Sequence, residues 1–254
     1  MNSFTRLAVA ALILVTGTYA DLANGATISE SVENPDRADA NRERDAARKP
    51  ADMLSFISLD AGDVVLDHGS GGGYWSELFS GIVGEDGKVY AHQNAGARFD
   101  TNKEALTAQF EPFGNIELLP VANGSPFPLP DNSVDTVMLS YIYHHLHYAE
   151  DSGEAFPAKS AALVAEFSRV LKPGGTFIVI EHVAVDGSSR AESAGWHRTP
   201  PNTAKADITG AGFEFADEAP DLYINPDDDL MNVWFDTGLA GKTTTFVHKY
   251  RKPD

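Results

Sequence analysis

Apolar positions along this chain gather into short runs separated by longer stretches of mixed polarity, and the two patterns alternate. Val64-Val65-Leu66 opens the series, and residues 88–92, 116–119, 134–140 and 176–180 continue it as short, strand-like runs. Between and before them lie helix-like segments. Met53, Leu54, Phe56, Ile57 and Leu59 predict one apolar helix face, stopped by Ala61-Gly62. A helix opens at Tyr74-Trp75, where Trp75 and Phe79 share a face suited to core packing, a polar helix covers about 101–110, and another covers 154–171. Strand and helix in alternation imply a doubly wound α/β sheet with right-handed crossovers.

The last quarter changes character. Residues 213–215 and 244–250 read as strands around a loop holding Pro226-Asp227-Asp228-Asp229. That acidic run lacks the alternation of a calcium loop, so a solvated turn is expected there. Residues 21–50 are polar and charged and predict a linker with an N-terminal helix, leaving 51–254 as the single folded domain.

One junction carries chemistry. The first strand ends Asp67-His68-Gly69-Ser70-Gly71-Gly72-Gly73 and runs straight into a helix. Glycines at 69, 71 and 73 accept positive φ at no cost and let a ligand approach the backbone, while the helix start offers free N–H groups. Nucleotide-like ligand binding is the function this turn implies.

Four segments then resemble the class I S-adenosylmethionine-dependent methyltransferases in order and spacing: VLDHGSGGGYW, GKVYAHQ, SPFPLPDNSVDTVMLSYIYHHL and EFSRVLKPGGTFIVIEH. The resemblance spans roughly Asp52 to His182. The signal-like start, the Arg44-Asp45 and Arg48-Lys49-Pro50 pairs, Trp196-His197-Arg198 and the GKTTTFVHKYRKP ending further resemble a group of exported bacterial methyltransferases of undefined substrate. The family implies a mostly parallel seven-stranded sheet with an antiparallel C-terminal strand. It also implies a cofactor, S-adenosylmethionine, surrounded by Asp67, Gly69, Ser70, Gly71, Gly73, Gln93, Asn123 and Ser140.

Two of these positions depart from the family pattern. Gln93 stands where an acidic residue would hold the ribose hydroxyls, and Asn123 where an acidic residue would meet the adenine amino group. An amide forfeits charge-assisted acceptance, a loss of about 1–2 kcal/mol at Gln93 if nothing compensates.

Methyl transfer needs an acceptor held in line and a base if the acceptor carries a proton. His145 after the fourth strand, His182 at the end of the fifth and His197 in the following loop are the candidates for that base. Glu181 beside His182 could orient its ring, and Arg198 suits either an anionic substrate or anchoring of its own loop. His144, His145, His147, Glu181, His182 and His197 supply donor atoms, but no pair stands at an established helical ligand spacing, so no metal is expected. An alternative keeps the fold without methyl transfer and uses the histidine-lined crevice for another small ligand.

Composition narrows the partners. The formal charge is −18, from 37 acidic and 19 basic residues, which argues against a nucleic-acid partner and leaves a small molecule. Cysteine is absent, which excludes disulfides, thiol catalysis and zinc–thiolate sites. Arg6, an apolar run from Leu7 to Val15 and small residues up to Ala20 form a secretory-signal pattern over residues 1–20, too short for a membrane span. Export to the periplasm or medium is the expected localisation, with no stable membrane span after cleavage. Nothing in the sequence sets the oligomeric state.

Overall fold

A computed structural model describes residues 25–148, 155–233, 235 and 238–254. The signal pattern over residues 1–20 lies outside them. Seven strands form one sheet: β1 (Val64–His68), β2 (Lys88–Asn94), β3 (Ile116–Val121), β4 (Val134–Ser140), β5 (Leu171–His182), β6 (Glu214–Glu218) and β7 (Thr245–Arg251), in the order β3-β2-β1-β4-β5-β7-β6. The first five pair in parallel, and β7 runs antiparallel to both β5 and β6. The strand order reverses between β1 and β4, so the carboxyl ends of these strands open a crevice there.

Side-chain alternation sorts the apolar residues into two cores. Leu66, Val137, Phe177 and Val179 face one side of the sheet with Phe167 and Ile208, while Val65, Met138, Ile178 and Ile180 face the other with Leu78, Phe79 and Met53. Adjacent residues of one strand thus feed opposite layers, as the two-residue period of a strand requires. The helices covering these faces include α4 (Pro50–Ile57), α5 (Tyr74–Val83), α7 (Ala158–Val170) and α9 (Pro201–Gly210). Trp75 and Phe79 stack with ring centroids 6.1 Å apart, which bears out their expected core role. Between β2 and β3 runs α6 (Ala97–Phe110), whose Leu106 and Phe110 close a third, smaller cluster over Ala91.

Residues 25–50, where the sequence predicted a linker with an N-terminal helix, are largely helical and packed on the domain. They supply three short helices, α1 (Ile28–Glu33), α2 (Asp39–Arg42) and α3 (Asp45–Arg48), joined to the body of the domain. Ser31 donates to Leu78 O at 2.6 Å, and the Ala26 N–H donates to Gly81 O at 2.7 Å. Arg37 is 2% exposed because it meets Asp45 through both guanidinium nitrogens, at 2.9 and 2.7 Å. A capping box starts α1, with Thr27 and Glu30 each satisfying the other's backbone N–H. Thr27→Ala should cost about 1 kcal/mol in urea unfolding; an unchanged midpoint would show that α1 contributes nothing to the domain.

The C-terminal acidic loop also differs from a solvated turn. Asp228 is buried and meets the fully buried Arg198 through both of its oxygens, at 2.8 and 3.0 Å. Arg198 further donates to Val183 O and Asn232 O, so it anchors its loop and is not directed at a substrate. The last helix to name, α8 (Arg190–Gly195), lies just before this anchor.

Candidate functional site

The glycine turn between β1 and α5 is held from all sides. Gly69, Gly71 and Gly73 take φ of 68°, 54° and 74°, values that L side chains rarely adopt. The Gly69 N–H donates to His92 Nδ1 at 3.2 Å, and the Ser70 N–H donates to His92 O at 3.0 Å. Asn41 and Gln109 both donate to Gly72 O, at 3.1 and 2.8 Å. A turn fixed in this way meets its ligand without reordering.

The three glycines serve different ends. A Cβ at Gly71 would meet nothing within 4 Å, so that position opens onto space. A Cβ at Gly69 would strike Ile142, and one at Gly73 would strike the ring of Phe110 at 2.4 Å. Gly73 is therefore a packing glycine at the start of α5, and it borders neither of the two cavities described next.

Two cavities share the turn, with Gly69, Gly71 and Gly72 lining both. The larger, about 970 Å³, extends past Gln93 and Asn123 to Phe127, His145 and Tyr148. The smaller, about 140 Å³, is bordered by Arg44, Arg48, Asp67, Ser70, Tyr74 and Ser140. Trp75 Nε1 donates to Ser140 Oγ at 2.9 Å and fixes that hydroxyl at the small cavity's wall.

Charge distinguishes the two spaces. Asp67 is 2% exposed; burial pushes its carboxyl up to about 6, against the opposing effects of a 2.6 Å hydrogen bond from Ser76 and the charge of Arg48. Arg48 stacks over Tyr74 and Tyr141, at 4.6 and 5.3 Å from the ring centroids. No carboxylate pairs with its guanidinium among the described residues, and burial, then Arg44, lower its pKa. A cation without an anion beside a buried carboxylate suits a zwitterionic, amino-acid-like group.

Gln93 departs from the simple expectation. Its amide nitrogen donates to Ser70 Oγ at 2.8 Å and to Gly71 O at 2.9 Å, so it braces the turn as well as lining the large cavity. A carboxylate could not make those donations, and this offsets part of the loss expected from replacing one. Asn123 also lines the large cavity.

His68 and His92 form a floor that sequence reasoning missed. Their rings stack 4.2 Å apart and 6° from parallel, with Phe127 edge-on to both. Burial lowers both pKa values, His92 to about 4, so the floor is neutral. Only the pairing of β1 with β2 brings the two rings together, although His68 stood within the motif.

Of the three candidate bases, His145 and His197 lie close together and His182 stands apart. His145 is exposed at the large cavity, where partial burial and then His144 pull it down to about 4. His197 packs against His144, with ring nitrogens 3.2 Å apart. His182 borders neither cavity: its ring stacks on Tyr141 at 4.5 Å, and its Nδ1 lies 2.7 Å from Thr243 Oγ1. Glu181 meets His144, its Oε2 2.9 Å from that residue's Nδ1.

A parallel sheet reversed between β1 and β4, an antiparallel β7 and a braced glycine turn at the reversal define a Rossmann-like domain of the methyltransferase type. Comparison with known proteins gives the family. Residues 66–179 match the family model described as a methyltransferase domain. The ubiquinone/menaquinone biosynthesis C-methyltransferase UbiE of Francisella tularensis subsp. tularensis is 35% identical over 128 residues, which are 50% of this chain and 46% of that enzyme. The match therefore spans about half of that relative's length.

Among solved structures, a SAM-dependent methyltransferase from Aquifex aeolicus superposes with a TM-score of 0.57 at 21% identity, over 89% of this chain and 98% of the other. Fibrillarin from Aeropyrum pernix, with natively bound S-adenosyl-L-methionine, has a TM-score of 0.53 at 14% identity, over 82% and 76%. Over residues 66–179 the chain carries a methyltransferase domain similar to those of the class I S-adenosylmethionine-dependent enzymes.

Proposed function

We propose that this chain transfers a methyl group from S-adenosylmethionine to a small-molecule acceptor held in the large cavity. The observation that carries this reading is the pairing of two chemically unlike spaces across one glycine turn. The small one suits the amino-acid end of the cofactor, with Asp67 facing the ammonium and Arg48 and Arg44 facing the carboxylate. The large one has room for an adenosine beside Gln93 and Asn123 and for an acceptor beyond it.

Bound cofactor supplies an electrophilic methyl group. The chain's own residues orient and exclude: the braced turn fixes the approach, Phe127 and the two neutral imidazoles make a low-polarity wall, and His145 stands where it can take a proton from the acceptor. A concave cavity of this size, lined by both polar and apolar side chains, favours a small organic acceptor over a macromolecule. Calorimetric titration with S-adenosylmethionine or S-adenosylhomocysteine should give one saturable site per chain. No heat and no thermal shift at millimolar ligand would refute the reading.

A further inference from the structure

Three imidazoles from two separate parts of the chain converge at the edge of the large cavity, and the proton-transfer role above uses only one. His144 and His145 ride the short 3-10 turn Tyr143–His147 that follows β4. His197 arrives from the bend after α8, held at φ 55°. One ring nitrogen from each lies within 4.8 Å of the other two. His144 Nε2 and His197 Nδ1 are 3.2 Å apart. Two nitrogens on one tetrahedral zinc-like ion sit about 3.3 Å apart, given its bond lengths of roughly 2.0–2.1 Å.

Glu181 orients the set. It is fully buried, and its Oε2 lies 2.9 Å from His144 Nδ1 while accepting the His144 backbone N–H at 3.0 Å. Its other oxygen accepts the His182 backbone N–H at 2.7 Å. With Nδ1 donating to this carboxylate, His144 presents the lone pair of Nε2 toward the other two rings. A carboxylate behind an imidazole is the arrangement that aims and strengthens metal-binding histidines.

We propose that His144, His145 and His197 bind one divalent ion of the zinc class, with Glu181 as the positioning carboxylate. A set of nitrogens alone selects a borderline first-row ion over magnesium or calcium. His145 and Tyr148 line the large cavity, so the fourth coordination position opens toward it. The sequence supplied these residues as donors and predicted no metal, because only the fold brings His197, 53 residues beyond His144, to the other two.

The ion site stands on this geometry alone, whereas its use in catalysis rests on the methyl-transfer reading. An acceptor hydroxyl or thiol bound at the open position would release its proton to solvent more readily, and its oxygen or sulfur would then bond the methyl carbon as the carbon–sulfur bond to S-adenosylhomocysteine breaks, which replaces proton uptake by His145. One imidazole nitrogen cannot do both.

The test uses protein purified without a histidine tag and stripped by chelation, then titrated with Zn²⁺ by calorimetry and with Co²⁺ by visible absorption. One ion per chain at micromolar concentration and the intense bands of four-coordinate Co²⁺ are expected. Glu181→Gln should weaken binding roughly 10- to 100-fold, and His145→Ala, which truncates an exposed side chain, should weaken it further. His248→Gln, on β7 away from the cluster, should bind as the parent does.

Absence of a one-to-one site, or unchanged affinity in both His145→Ala and His197→Ala, would overturn the proposal. Melting curves check that each variant is folded, and His145→Ala decides the matter if Glu181→Gln is not. Because the cofactor titration runs on the same metal-free protein, loss of the ion site and loss of methyl-donor binding are separate results.

Discussion

Gly71→Asp should abolish cofactor binding while leaving the fold intact. The backbone at position 71 sits at φ 54°, a region that aspartate enters more readily than most residues, so the strain costs on the order of 1 kcal/mol. A Cβ there meets nothing within 4 Å, and the new carboxylate would extend into the space shared by the two cavities. It would fill that junction and offer Arg48 an internal anion in place of the ligand's carboxylate. Affinity should fall at least about 100-fold, equivalent to roughly 2.7 kcal/mol, with far-UV circular dichroism unchanged. Retention of parental affinity would mean that the ligand does not cross the turn.

Gly73 gives the matching contrast. Its added Cβ would strike Phe110, so Gly73→Ala acts on packing first. The sequence motif treats the two glycines alike, and only the neighbours of each tell them apart.

The central sheet was legible because its strands are buried on both faces. Val134–Ser140 matches its expected limits residue for residue, its Val137-Met138-Leu139 run being buried in the centre of the sheet. By contrast, β6 is largely exposed and runs Glu214–Glu218, offset from the 213–215 expected from Phe213 and Phe215. Leu171 also joins β5, because it pairs with Val134 ahead of a register shift, where the sequence predicted the last residue of a helix over 154–171.

Charge misled the reading in two places for the same reason. Arg37 with Asp45, and Arg198 with Asp228, are long-range or loop-borne pairs whose members count as solvated until the partner is known. Position along the chain cannot show that an arginine has found its carboxylate, so residues 21–50 resembled a linker and residues 227–229 a free turn. The same limit hid Asn41, Gln109 and His92, which reach the glycine turn only through the fold.

Asp67→Asn should make the protein more stable and a poorer cofactor binder at once. Burial raises the Asp67 carboxyl from 3.8 to about 6, so between these values the folded chain holds a proton that the unfolded chain releases. Stability from this group is therefore greatest in acid and falls as pH rises through about 6, leaving a cost of about 3 kcal/mol near neutrality. Asparagine keeps the shape and an oxygen to accept the Ser76 hydroxyl, and it carries no charge to bury. The melting temperature of the variant should equal that of the parent below about pH 4 and exceed it by roughly 6–12 °C above pH 6. Comparing the two proteins cancels the opposite trend from Glu181 and Asp207, both held below the usual carboxylate range by their buried partners despite the upward pull of burial. Loss of the carboxylate should also weaken S-adenosylmethionine roughly 10- to 100-fold, because a charge-assisted hydrogen bond to the ammonium is worth about 1.5–3 kcal/mol. A variant no more stable at pH 8 would show that burying the Asp67 charge costs nothing, and one that binds cofactor undiminished would show that Asp67 does not recognise it. Both effects together would place a stability cost at the site that needs the charge, the trade expected where a buried carboxylate is kept for binding.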